Sequence, residues 1–182
     1  MAQPPSTSDT TEVVFSAQTI AEEIDGMARR IAQAGLDDLL AVAILKGSFV
    51  FAADLLRALH RAGLAPQVDF LSLSSYRTGT TSSGRVEIVR DIELDVAGRN
   101  VLIVDDILES GRTLAFAKDL IAARGAARVL TCVLLDKPVR RAADIAADFR
   151  AFECPDVFVV GYGMDLAHRL RELPFVGRVV RK

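Results

Sequence analysis

The stretch VLIVDDILESGRTL, Val101 to Leu114, contains the strongest local signals in the chain. Its apolar start predicts a buried strand, which runs directly into two acids, Asp105 and Asp106. A small-residue segment then leads into a helix that we predict to begin at Thr113. A loop at a helix N-terminus presents unpaired backbone N–H groups and the positive end of the helix dipole, so this segment favours a bound anion.

The chemistry of the same segment suits a phosphorylated sugar. Gly111 allows the backbone to approach a phosphate closely, and the hydroxyls of Ser110 and Thr113 add hydrogen-bonding groups. Asp105 and Asp106 can accept hydrogen bonds from a sugar diol or help to hold a divalent cation. For each residue alone, the alternative is that the acids solvate a strand end and the hydroxyls cap a helix. The segment lacks the Gly-Lys pair and the glycine spacing of a Walker A loop.

Strands and helices alternate on both sides of this segment. Thr19 and Glu22 fit a capping box for the first helix, and Gly35 is suited to end it. The predicted helices are residues 16–34, 49–63, 113–124 and a short final stretch, 165–171. The predicted strands are residues 39–45, 68–76, 86–89, 100–104, 129–135 and 157–163. This alternation predicts an α/β fold, a mainly parallel twisted sheet flanked by helices, with ligands beyond the carboxyl ends of its strands.

Length and composition favour one globular unit. The chain has 182 residues, of which 51% are hydrophobic and 25% charged. We expect a flexible N-terminal tail at residues 1–11, which are rich in Pro, Ser and Thr, and a single domain at residues 12–182. A formal net charge of -2 provides no general basic field, so we expect no nucleic-acid partner and assign any phosphate binding to local geometry.

Cysteine content and hydropathy suggest where the protein works. Cys132 and Cys154 are too few for a disulfide framework and fit the reducing cytoplasm. The N-terminus lacks the basic and apolar parts of an export signal, and no segment has the roughly 20 apolar residues that a membrane-spanning helix needs. We therefore expect no membrane association.

From about Phe15 to Val180, the chain resembles the type I phosphoribosyltransferases, specifically the hypoxanthine-guanine branch. The resemblance implies their sheet-and-helix core, with a small hood built from the terminal segments. In that family the acid pair contacts the ribose hydroxyls of phosphoribosyl pyrophosphate, which carries over to Asp105 and Asp106. The next loop cradles the 5-phosphate, which carries over to Ser110, Gly111, Arg112 and Thr113.

Two further segments resemble parts of the family's phosphoribosyl pyrophosphate site. ILKGS, residues 44–48, is similar to the pyrophosphate loop, which implies that Lys46 and Gly47 contact pyrophosphate. In that loop a Leu-Lys peptide bond is often cis, and the sequence leaves the state of Leu45–Lys46 open. SSYRTG, residues 74–79, is similar to the mobile lid, which implies that Ser75 and Tyr76 close over the reaction centre. From sequence alone, the first is a lysine at a strand end and the second a polar loop.

The purine-binding side resembles the family in two segments. LLDKP, residues 134–138, places Lys137 where the family has a lysine that donates to the exocyclic oxygen of a 6-oxopurine. Adenine presents a donor at that position and is excluded. VFVVGYGMD, residues 157–165, matches the segment in which Phe158 stacks on the purine and Val159 contacts its edge through the backbone.

The resemblance also implies a metal and a general base. Asp105, Asp106 and Asp165 would face Mg²⁺, and Arg171 matches the family arginine that contacts pyrophosphate. Glu109 stands where the family usually has Asp, as the candidate general base near N7 of the purine. The longer side chain retains the carboxylate but needs a different rotamer or a shifted loop.

The resemblance therefore implies purine salvage, in which a 5-phosphoribosyl group passes to hypoxanthine or guanine and yields IMP or GMP. Such an enzyme is expected to form a homodimer or homotetramer. The alternatives are a xanthine-preferring phosphoribosyltransferase and a phosphoribosyltransferase-like regulator that senses nucleotide and binds RNA. The slightly acidic net charge argues against an RNA-binding face.

Overall fold

A computed structural model describes residues 10–75 and 86–180 of the chain. Most of the predicted tail and lid lies outside these ranges. The helices are α1 (Ala17–Gln33), α2 (Phe49–Arg61) and α3 (Arg112–Ala123). The strands are β1 (Thr10–Phe15), β2 (Leu39–Leu45), β3 (Gln67–Ser75), β4 (Val86–Arg90), β5 (Asn100–Leu108), β6 (Arg128–Asp136), β7 (Phe149–Glu153), β8 (Val159–Val160) and β9 (Val176–Val180). The last two residues assigned to the tail, Thr10 and Thr11, belong to β1.

The larger sheet has six strands in the order β4-β3-β2-β5-β6-β7. All its pairings are parallel except that of β3 with β4. The sequence of β2, LLAVAIL, is apolar throughout because both faces of this inner strand are covered. Ala43 of β2 pairs with Val104 of β5, and Asp105 pairs with Val133 of β6. The three central strands therefore end at one edge of the sheet.

Helices cover both faces of this sheet, as predicted. On one face α1 and α2 pack through Ile24 and Phe51 against β-strand residues that include Leu102. On the other face α3 packs through Ile121 against residues that include Ile103. Because side chains alternate along a strand, the neighbours Leu102 and Ile103 pack into the two hydrophobic cores on opposite faces of the sheet. No helix in the described ranges is both long and apolar enough to cross a membrane.

A second, three-stranded sheet in the order β1-β9-β8 is built from the terminal segments, which confirms the predicted hood. Its pairings are antiparallel, with Val13 opposite Gly177 and Val159 opposite Arg178. The sequence analysis did not predict β1 or β9, nor the edge strand β7. The sequence of β7, FRAFE, contains two charged residues, and β9 contains a glycine and an arginine, so neither shows a continuous apolar run.

The start of α1 differs from the prediction. Ser16 is the N-cap residue, and its hydroxyl accepts a hydrogen bond from the Thr19 backbone N–H at 3.1 Å. A capping box from Thr19 to Glu22 is therefore wrong, because the helix has already begun before Thr19. The predicted helix end is confirmed, since Gly35 adopts the left-handed conformation just after the C-cap.

The segment after Val157 contains less regular structure than predicted. Only Val159–Val160 pairs as a strand, because Gly161, Tyr162 and Gly163 all have positive φ and turn the chain away from the sheet. The predicted helix at residues 165–171 is wrong. Leucines at 166 and 170 have helical spacing, but the chain forms tight turns there, with a bridge between Leu166 and Arg169.

Candidate active site

Two adjoining cavities open at the carboxyl edge of β3, β2 and β5. One has a volume of about 280 Å³ and the other about 550 Å³. Both are lined by Lys46, Gly47 and Asp106. The smaller also reaches the loop before α3, and the larger reaches β8 and the turns that follow it. Ligands are expected at this edge of a parallel sheet, where loops from several strands converge.

The loop after β2 approaches the acid pair very closely. The Leu45–Lys46 peptide bond is cis, a point that the sequence analysis left open. A Cβ atom at Gly47 would lie 1.7 Å from Oδ2 of Asp106, and a Cβ atom at Gly163 would lie 2.3 Å from the Gly47 carbonyl oxygen. Two glycines therefore allow three distant segments to meet on the wall of the cavities.

Asp105 and Asp106 form a carboxylate pair, in which Asp105 is buried and Asp106 half-buried. Burial raises the pKa of Asp105 well above its ordinary value, and the charge of Asp106 raises it further. Burial also raises the pKa of Asp106, partly opposed by a hydrogen bond with Asp105 and by the nearby charge of Arg171. Backbone N–H groups of Asp106 and Ile107 donate to the pair at 3.0 Å. The pair is fixed in position and short of positive charge.

The predicted phosphate loop precedes α3, as the sequence indicates. Gly111 is the N-cap residue and has a φ of 80°, a conformation that glycine adopts without strain. Ser110, Gly111 and Thr113 line the smaller cavity. Arg112, the first residue of α3, is exposed and does not line this cavity. The loop and the first turn of the helix therefore border the cavity beside the acid pair.

Glu109 and Lys137 form an ion pair at the ends of neighbouring strands. The Lys137 Nζ lies 3.0 Å from Glu109 Oε1 and donates to the Val157 carbonyl oxygen at 3.1 Å. The Lys137 side chain is 7% exposed, whereas that of Glu109 is 41% exposed. Of these two, Glu109 lines the smaller cavity and Lys137 lines neither cavity. The Glu109 side chain is one methylene longer than the usual Asp, and its carboxylate lies against the Lys137 ammonium group.

The remaining predicted site residues that the structure describes lie on the wall of the larger cavity. Phe158, Val159, Asp165 and Arg171 all line it. Phe158 is 58% exposed, which is unusual for a phenylalanine beside a strand and leaves a ring available for stacking. Arg171 lies 2.6 Å from a carboxylate oxygen of Asp165 and donates to the Gly163 carbonyl oxygen at 2.6 Å.

Two predicted lid residues have little structural description. Ser75 is the last residue of β3, and Tyr76 lies outside the described residues. The side chain of Ser75 also lies outside them. Their predicted closure over the reaction centre therefore stays a prediction.

The chain matches the phosphoribosyl transferase domain family over residues 11–167. It is 40% identical to the hypoxanthine phosphoribosyltransferase of Salmonella typhimurium over 174 residues, covering 94% of this chain and 96% of that protein. It is 41% identical to the hypoxanthine-guanine phosphoribosyltransferase of Bacillus subtilis, covering 93% of each chain. This chain belongs to the hypoxanthine-guanine phosphoribosyltransferase family. It is an enzyme of purine salvage.

A solved structure of a hypoxanthine-guanine phosphoribosyltransferase family member agrees with this assignment. The Trypanosoma cruzi hypoxanthine phosphoribosyltransferase, in complex with the product IMP, superposes with a TM-score of 0.86. It is 34% identical, and the match covers 97% of each chain. The shared fold therefore includes both the six-stranded sheet and the hood.

The sequence analysis missed two residues of this phosphoribosyltransferase site. Asp136 ends β6 immediately before Lys137, and its carboxylate is only 11% exposed. Arg141 forms an ion pair with it and also reaches the loop around Glu109. A buried acid at the end of an apolar run needs a cationic partner. The arginines just after Pro138 are the sequence feature that could have identified the partner of Asp136.

We predict that Gly47→Ala lowers phosphoribosyltransferase activity by about 100-fold, because a methyl group displaces Asp106 or the loop by about 1 Å or more. Steady-state kinetics with hypoxanthine and phosphoribosyl pyrophosphate measure the loss. Gly26→Ala is the control. A Cβ atom there meets nothing closer than 3.6 Å within α1, so activity should be unchanged. Wild-type activity in Gly47→Ala would contradict the close approach.

Proposed function

We propose that this protein transfers the 5-phosphoribosyl group from phosphoribosyl pyrophosphate to hypoxanthine or guanine, with release of pyrophosphate. The observation that carries the proposal is the convergence of Asp105, Asp106, the loop before α3 and the loop after β2 on one cavity. Phe158 and Arg171 line the adjoining cavity, and this agrees with a second substrate beside the first.

Phosphoribosyl pyrophosphate binds along the edge of the sheet in this proposal. The hydroxyls of its ribose donate to Asp105 and Asp106. The 5-phosphate accepts hydrogen bonds from the loop at residues 110–113, where a helix N-terminus favours negative charge. Lys46, the backbone at Gly47, and Arg171 contact the pyrophosphate. Arg171 must then share its charge between Asp165, 2.6 Å away, and the incoming anion.

The purine lies where the two cavities adjoin, near Glu109 of the smaller one. It stacks on the exposed ring of Phe158 in the larger cavity and is held at its edge by the backbone of Val159. Lys137 donates to the 6-oxo group. Its ammonium group already accommodates two acceptors, Glu109 and the Val157 carbonyl oxygen, and has three N–H donors. The third donor supports a role in reading an oxygen and rejecting an amino group.

In the reaction, the bond between the anomeric carbon and the pyrophosphate oxygen breaks and a bond to a purine nitrogen forms. Positive charge develops on the ribose ring, and Asp105 and Asp106 lie where they stabilise it. The proton that leaves the purine passes to the Glu109 carboxylate. The Lys137 ammonium group, 3.0 Å from that carboxylate, orients it.

A magnesium ion fits the residues at this site. Asp105 is buried and Asp106 half-buried, the pair lacks a full complement of positive charge, and oxygen ligands are those that Mg²⁺ prefers. Among residues 10–75 and 86–180 no group of three metal-binding side chains occurs, so Asp165 is not part of one cluster with the acid pair. Asp165 would instead face a second Mg²⁺ bound to pyrophosphate, and magnesium there would neutralise the pyrophosphate charge.

The proposal also covers the lid, the oligomeric state and the cellular compartment. Ser75 and Tyr76 close over the site and exclude water, which otherwise competes with the purine as nucleophile. Family membership supports a homodimer or homotetramer. The free, buried thiols of Cys132 and Cys154 are compatible with a reducing cytoplasm.

The assignment is tested by incubating the protein with phosphoribosyl pyrophosphate, Mg²⁺ and one of four bases: hypoxanthine, guanine, xanthine or adenine. We expect IMP and GMP as products, little reaction with adenine, and loss of turnover after thorough chelation that added Mg²⁺ reverses. A dominant xanthine activity would instead identify a xanthine-preferring enzyme. Binding of labelled RNA at moderate salt without transfer of any base would support the regulator.

We predict that Lys137→Met reduces the preference for hypoxanthine over adenine by about 10- to 100-fold, because a charge-assisted hydrogen bond of about 1.5 to 3 kcal/mol is lost. The ratio of kcat/KM for the two bases measures the preference. Lys118→Met changes a lysine of α3 that lines neither cavity and should leave the ratio unchanged. An unaltered ratio in Lys137→Met would leave that lysine with a structural role only.

We predict that Glu109→Gln slows the chemical step by about 100- to 10,000-fold, as expected when a general base is removed. Affinity for phosphoribosyl pyrophosphate should change little, because Glu109 lies next to the phosphate loop rather than in it. Single-turnover rates and direct binding measurements separate these effects. Glu109→Asp, which introduces the usual family residue, should keep most activity. A wild-type single-turnover rate in Glu109→Gln would assign the proton to another group.

A further inference from the structure

Arg141 holds the backbone from which the candidate general base projects. Its Nε donates to the carbonyl oxygen of Glu109 at 3.0 Å, and its Nη2 donates to that of Leu108 at 3.1 Å. The Arg141 side chain is only 19% exposed. Because β5 ends at Leu108, Glu109 has left the sheet, and its carbonyl oxygen takes this hydrogen bond from Arg141 instead of from a neighbouring strand.

The remaining donors of the same guanidinium group fasten it to two other segments. Nη1 donates to the Ile145 carbonyl oxygen at 2.6 Å, and Nη2 pairs with the carboxylate of Asp136. Arg150 contacts the other oxygen of that carboxylate at 3.0 Å. Arg141 therefore joins the ends of β5 and β6 to the segment after Pro138, and only a planar, multidentate donor can reach all these acceptors together.

The chain around Arg141 also supports the phosphate loop. A Cβ atom at Gly111 would lie 3.1 Å from Cδ of Arg141. The backbone N–H groups of Ala142 and Ala143 donate to the carbonyl oxygen of Ser110 at 2.9 and 3.0 Å. These backbone hydrogen bonds do not need the guanidinium group, so the phosphate loop has a support that a side-chain substitution at Arg141 leaves in place.

We propose that Arg141 is a positioning residue for phosphoribosyl transfer, which acts by holding Glu109 so that its carboxylate faces both Lys137 and the purine. This proposal rests on the proposed role of Glu109 as general base. The Glu109 side chain is 41% exposed and has several rotatable bonds, so its direction depends on where the backbone is held. The Leu108 carbonyl oxygen also accepts from the Lys137 backbone N–H at 2.9 Å, so it stays held when Arg141 is lost. The Glu109 carbonyl oxygen loses its hydrogen bond, which lets the carboxylate move from its working position.

A double-mutant cycle tests the proposal. Single-turnover rates with hypoxanthine and phosphoribosyl pyrophosphate are measured for wild type, Arg141→Met, Glu109→Gln and the double variant. We expect Arg141→Met to slow the chemical step by about 10- to 100-fold in the wild type, the effect of a misplacement of about 1 Å. In the Glu109→Gln background it should cost less than about 3-fold, because the base it positions is already absent.

Arg150→Met is the matched control. It also removes a guanidinium group from Asp136, but it deletes no hydrogen bond to Leu108 or Glu109, so the rate should stay within about 2-fold of wild type. Calorimetry with phosphoribosyl pyrophosphate and Mg²⁺ should give nearly the same Kd for wild type and Arg141→Met. If Arg141→Met does not fold, Arg141→Lys provides the test, since it retains the charge but not the forked geometry.

Equal slowing by the Arg141 substitution in both backgrounds would overturn the proposal, because the arginine would then act independently of Glu109. A slowing by Arg150→Met as large as that by Arg141→Met would overturn it as well. A wild-type rate in Glu109→Gln would show that Glu109 is not the general base, and the positioning role of Arg141 would fail with it. Absence of phosphoribosyl transfer by the unaltered protein would instead refute the proposed function, so the failures are distinguishable.

Discussion

The parallel pairing of β2, β5 and β6 is the constraint on which the site depends. These strands are apolar on both faces, so a slip in register would expose buried side chains on one face or bury polar ones. The pairing of Ala43 with Val104 and of Leu108 with Asp136 brings the three strand ends to one edge. Strand pairing alone therefore brings together the polar residues that follow each strand.

Three charged residues at this edge, Asp105, Asp136 and Lys137, are buried, and the last two have charged partners within the protein. Lys137 has Glu109, and Asp136 has Arg141 and Arg150. The pair of acids at the end of β5 differs, because burial and mutual repulsion raise the pKa of Asp105. A site that leaves two carboxylates short of positive charge is prepared for a cation or for hydrogen-bond donors from a ligand.

Local patterns in the sequence predict much of this arrangement, and the failures have physical causes. The apolar run of β2, the acid pair and the loop before α3 are read from neighbouring residues, and the structure has them where expected. The hood strands depend on pairing between β1 and β9, which no local window contains. The ion pair of Arg141 with Asp136 and the close approach of Gly163 to Gly47 likewise depend on contacts across space. The roles of residues in catalysis came from family resemblance, since an isolated Phe or Lys at a strand end has many ordinary explanations.

The pairing of the first described strand with the last has a consequence for protein synthesis. Glu12 of β1 and Arg178 of β9 are joined by an ion pair across 166 residues of sequence. The hood can therefore assemble only after the ribosome has released β9 as well as β1. Val159, on the wall of the larger cavity, pairs with β9, so this wall is completed only after β9 has emerged. A chain without β9 lacks the strand that supports this part of the site.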